Sequence, residues 1–61
     1  MIHVAYFTGY SEDDCLDKLN STLKQEQVIN IIPEEPKEYE GYDEYDRWTV
    51  HSLQVFYKDL E

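Results

Sequence analysis

The sequence predicts a small α+β domain of β-α-β-β order, with one helix lying on a three-stranded mixed sheet. Three observations carry this. The opening residues alternate in polarity, a leucine stripe of helical spacing follows, and two later segments are dense in β-branched and aromatic side chains. All 61 residues are read as a single domain, 1–61.

In the first segment, Met1–Phe7, Ile2, Val4 and Tyr6 fall on one side of an extended chain and His3, Ala5 and Phe7 on the other. Thr8-Gly9-Tyr10 reads as a turn. Ser11 then stands where its side-chain oxygen can accept from free backbone N–H groups at a helix start. Glu12, Asp13 and Asp14 follow, placing negative charge at the positive end of the helix dipole. Leu16, Leu19 and Leu23 recur at spacings of three and four, so they gather into one apolar face with Cys15 and Thr22 at its edges.

The second strand is expected over Gln27–Ile32, a β-branched run ended by Pro33, and the third over Arg47–Lys58. Between them, Glu34–Asp46 holds seven acids with Pro36, Gly41 and three tyrosines, and reads as a long acidic surface loop. A helix of about 14 residues spans ~21 Å, close to the length of a six-residue strand, so it can return the chain to start a parallel neighbour. A connection of about 13 residues after the second strand is longer than a hairpin needs, which places the third strand on the far side of the first. The expected strand order is 2-1-3, with the first strand central.

Composition limits function. Fourteen acids against five bases give a net charge of −9, which repels nucleic acid and anionic lipid. The partner this charge favours is a protein with a basic surface, without direct nucleic-acid binding. No basic stretch leads into an apolar run, and no apolar segment approaches the ~20 residues of a membrane helix. With Cys15 the sole cysteine, no disulfide within the chain forms, and a reducing, cytoplasmic setting is expected, a host's cytoplasm if the gene is viral.

Tyr39-x-x-Tyr42-x-x-Tyr45 among carboxylates is the candidate binding motif. Tyrosine supplies a rigid ring with a hydrogen-bonding tip, and carboxylates pair with Arg and Lys of a partner. The candidate partner-binding residues are Tyr39, Tyr42, Tyr45, Glu38, Glu40, Asp43, Glu44 and Asp46. Carboxylates there can stand in for phosphates in a cationic groove, though seven acids over ~43 Å are sparser than DNA phosphates. The alternative is a solvated acidic loop that keeps the chain soluble.

A lone helix covers one face of a sheet, so the other face is expected to show some of Ala5, Phe7, Trp48, Val50 and Phe56. Phe7, Trp48, Val50 and Phe56 are therefore candidates for self-association in a homodimer or adaptor. No catalytic residue, cofactor or metal is expected. His3 and His51 sit on strands expected to be neighbours, where they could approach one another, yet two histidines do not make a zinc site. Glu12, Asp13, Asp14 and Asp17 surround Cys15 with negative charge, which favours its neutral thiol. No EF-hand spacing, phosphate-cradling glycine loop or nucleophile triad appears, so the chain is not expected to be an enzyme.

Met1-Ile2-x-Val4-x-x-Phe7, the acidic helix with Leu16, Asn20 and Leu23, Val28-Ile29-x-Ile31 and the closing Leu53-x-Val55-x-Tyr57-Lys58 resemble the small acidic sporulation-associated proteins of bacilli and their phage-borne relatives. The resemblance spans most of the chain and implies no catalytic residues. The tyrosine-rich insert departs from that pattern. At the level of class, small size and high negative charge are similar to phage inhibitors of host nucleases and defence systems, some of them DNA mimics.

Overall fold

The computed structural model describes residues 1–43 and 45–60. The elements run β1 (Ile2–Gly9), α1 (Glu12–Thr22), a 3₁₀ turn (Gln25–Gln27), β2 (Val28–Pro33), β3 (Lys37–Glu40) and β4 (Arg47–Lys58). The α+β class holds, with one helix and an antiparallel four-stranded sheet. Strand number and order differ from the sequence expectation, and the sheet is antiparallel, not mixed, although β1 and β2 run in the same direction as expected. β4 is central, with β1 along one edge and β2 along the other, and both pair with it antiparallel.

The difference arises in the acidic segment. Pro33 stands opposite Leu53 and Lys37 opposite Val50, and between them the Glu34 N–H donates to the Ser52 carbonyl at 3.0 Å. Residues 34–36 thus face residues 51–52 across one irregular step, and β2 and β3 follow each other along the same edge of β4. Residues 28–58 are one long hairpin. Lys37–Glu40, four of the thirteen residues expected to be loop, are paired with β4, so β4 becomes β2's neighbour by the shortest route and not a strand sent beyond β1.

Ser11 caps α1 as its position requires: the Asp14 N–H donates to Ser11 Oγ at 3.1 Å, and Asp14 Oδ2 accepts from the Tyr10 N–H at 3.3 Å. One free donor of the first turn and the N–H just before the cap each gain a partner. Gly9 is needed at the junction, because a Cβ there would lie 2.6 Å from the Cβ of Asp14. The helix ends sooner than its leucine stripe, and the Leu23 N–H closes the last turn on the Leu19 carbonyl at 2.8 Å.

Cys15 and Leu19 of α1 meet Leu53 and Val55 of β4 in the buried core, with Phe7, Leu16, Leu23, Val28 and Ile31 packed against it. Register explains the set, since Ala5 and Ile31 both stand opposite Val55, and Phe7 opposite Leu53. These side chains share the helix-covered face. Phe7 and Ala5, expected on the uncovered face, are therefore on the covered one. His3 and His51 lie at opposite ends of the β1–β4 ladder, opposite Tyr57 and Gly9 respectively, so they do not approach each other. His3 instead bonds Asp59 at 3.0 Å and lies 5.1 Å from the Tyr57 ring.

Candidate functional site

β1 reaches only as far as His51 on β4, so the pairing of β3 with residues 47–50 continues beyond the three-stranded body as a two-stranded arm. The molecule is accordingly elongated, 50 × 17 × 13 Å. Such a ribbon has no core of its own and is marginal in isolation. Its support comes from the body at one end and from cross-strand pairs along its length. Tyr39 faces Trp48, their rings stacked at 6.0 Å between centroids and 14° between planes. Glu40 faces Arg47, with Oε1 and Nε 3.8 Å apart and both side chains well exposed.

Strand alternation divides the arm into two faces. Tyr39 and Lys37 share one with Trp48 and Val50; Glu38 and Glu40 share the other with Thr49 and Arg47. The sequence grouped Tyr39 with Glu38 and Glu40 as one surface, and the pleat separates them. A groove of about 210 Å³ lies beside Trp48 and Arg47, smaller than the ~300–1,000 Å³ usual for small-molecule sites.

The tip is drawn together by backbone bonds. The Gly41 N–H donates to the Asp46 carbonyl at 2.6 Å, the Asp46 N–H to Asp43 at 2.9 Å and the Arg47 N–H to Tyr45 at 3.1 Å. Gly41 is required by crowding, since a Cβ there would come within 2.7 Å of the Asp46 Cβ. With the backbone turned inward on itself, Tyr42 and Tyr45 project, 111% and 85% exposed, while Tyr39 is 44% exposed against Trp48. Asp43 and Asp46 lie beside them, both exposed. Glu44 falls outside the described residues.

Sequence reasoning missed Trp48 as the partner of Tyr39, having assigned it to self-association with Val50 and Phe56. The signal was present in outline: Lys37–Glu40 alternates charge with a lysine and a tyrosine, and the β-rich run after it is twice the usual strand length.

Cys15 is fully buried, and its Sγ donates to the His51 carbonyl at 3.3 Å. Burial pushes its thiol pKa up; Lys18 opposes this, and Asp14 and then Glu12 add to it. The sequence attributed the neutral thiol to surrounding acids alone, whereas loss of solvent comes first. Among the described residues no three of His, Cys, Asp and Glu are gathered as a metal site requires. No helix among them is long and apolar enough to cross a membrane.

Comparison with protein-family models, with curated proteins and with solved structures finds no match.

Proposed function

We propose that this chain is a non-enzymatic binding protein whose acidic arm docks on the basic surface of a protein partner. The class of partner that fits is a bacterial nucleic-acid-handling or defence protein, and occluding its cationic groove would make the chain a phage-type inhibitor acting in the host cytoplasm. One observation carries this reading: the arm extends past the body and holds Tyr42 and Tyr45 outward among carboxylates. Exposing two large rings at a turn gives the arm nothing in its own stability, yet such rings are the side chains that anchor interfaces. The acids around them supply attraction at a distance and charge pairing on contact.

On the face of β3 opposite Tyr39, Glu38 and Glu40 stand two residues apart, a separation of ~6.8 Å along a strand. This row, with Asp43 and Asp46 at the tip, would meet Arg and Lys side chains that otherwise hold phosphates. Tyr39 and Trp48 would contribute from the other face, as a stiffening pair and a flat apolar contact.

The test uses bacterial lysate proteins retained on heparin, passed over the immobilised chain. The expected result is a captured basic protein that double-stranded DNA displaces and that raised salt releases. Capture undiminished after Glu38, Glu40, Asp43, Glu44 and Asp46 become Gln or Asn would count against the reading.

A further inference from the structure

The sheet has a face that α1 does not cover. Alternation places on it Ile2, Val4, Tyr6 and Thr8 of β1, Ser52, Gln54, Phe56 and Lys58 of β4, and Asn30 and Ile32 of β2. Val4 stands opposite Phe56, and Phe56 in turn opposite Asn30; the Tyr6 hydroxyl accepts from Gln54 Nε2 at 3.1 Å. Ile2, Val4, Tyr6 and Ile32 are 65%, 49%, 59% and 42% exposed. None of these ten positions is a carboxylate, and the acid next in line is Glu34 at one end, whose N–H bonds the Ser52 carbonyl, in a chain of 14 acids. The described acids lie on the helix, the 3₁₀ turn, the step between β2 and β3, the arm and Asp59, so the fold keeps this face poor in negative charge.

Area gives the second argument. A compact monomer of 7.4 kDa exposes about 4,200 Å². This chain exposes 5094 Å². The surplus is ~900 Å², against the ~800 Å² that each partner contributes to a standard interface. It belongs to the elongated molecule as a whole, arm included. Two arms repel each other, and a cation-rich partner is drawn to the dense acids of the arm and not to a face poor in them. A second copy, by contrast, brings the same acid-poor apolar face, and a two-fold axis makes that face its own complement. Only four residues among those described form the buried core, with no disulfide inside the chain to reinforce it, and association is one of the few remaining sources of stability at this size.

We propose that two copies of this chain associate through the uncovered faces of their sheets, with Ile2, Val4, Tyr6, Ile32 and Phe56 packing against the same residues of the second copy. The dimer carries two acidic arms. This inference does not depend on what the arms bind.

Sedimentation equilibrium over a wide concentration range tests it. The expected species has twice the 7.4 kDa mass of the chain. Association should tighten as salt rises from ~0.05 to ~0.5 M, because salt screens the repulsion between two anionic chains while leaving apolar burial intact. Val4→Lys on β1 and Ile32→Lys on β2, both exposed in the single chain, should each weaken dimerisation by about 30-fold or more, with far-UV circular dichroism unchanged. A wild-type chain that stays monomeric up to ~1 mM would overturn the proposal without recourse to any variant. So would dimerisation that survives in a folded Val4→Lys or Ile32→Lys protein, or that is lost only when Tyr42→Lys alters the arm.

Discussion

Cys15 and Asp59 illustrate how single side chains answer to their surroundings. The Cys15 thiol is sealed against Leu19, Leu53 and Val55, and burial raises its pKa. Both effects reduce the thiolate that reacts with disulfide reagents. Labelling of native protein at pH 8 should be far slower than in denaturant and should follow opening of the fold; equal rates in the two conditions would contradict the packing. Asp59 is at the surface, where the hydrogen bond with His3, and then the charge of His3, hold its carboxyl below the usual carboxylate range. A depressed folded pKa adds stability above the unfolded pKa of about 3.9, and that contribution disappears as pH falls through the folded value. The gap in urea midpoint between wild type and Asp59→Asn should therefore narrow as pH falls below about 4. A gap that does not change as pH falls below about 4 would mean that the contact acts in some other way.

At the scale of elements, legibility followed burial. Ser11 and the leucines of α1 announced themselves because capping and a helical stripe are local patterns, and Arg47–Lys58 has the bounds of β4 because its composition is unmixed. β3 was illegible because its four residues are all exposed and bury nothing. Pairing with β4 holds it extended, and no hydrophobic period records that. The error propagated: with residues 34–46 read as a loop, β1 became the central strand, although its alternate residues are exposed, as an edge strand allows. The arm is the element with least support, and the Tyr39–Trp48 stack is its main cross-strand contact. Such a pair is worth about 0.5–1.5 kcal/mol, so Trp48→Ala should speed hydrogen exchange of β3 amides roughly 2- to 10-fold. Amides of the β1–β4 ladder should be unaffected. Uniform acceleration throughout the sheet would instead make Trp48 part of the general core.

Across the whole molecule, charge and apolar surface are segregated. The body presents an acid-poor sheet face, the helix begins with three acids, and the arm carries acids to a tip bearing two exposed rings. Of the sequence-predicted site, the three tyrosines and their acidic neighbours were readable as residues, but not as a shape. Division of the arm into an aromatic and an acidic face, and removal of Phe7 into the core, follow from register, which a sequence of this composition does not declare. The two surfaces should respond to salt in opposite directions: arm docking weakens as steering is screened, and sheet-face association strengthens.

The account turns on Tyr42 and Tyr45 serving an interface and not the chain's own stability. Replacing both with alanine and measuring thermal stability alongside affinity for the captured basic protein tests this most directly. The account predicts an unchanged melting temperature with affinity reduced by about 30-fold or more, as the loss of interface anchors requires. A lowered melting temperature with affinity intact would contradict it.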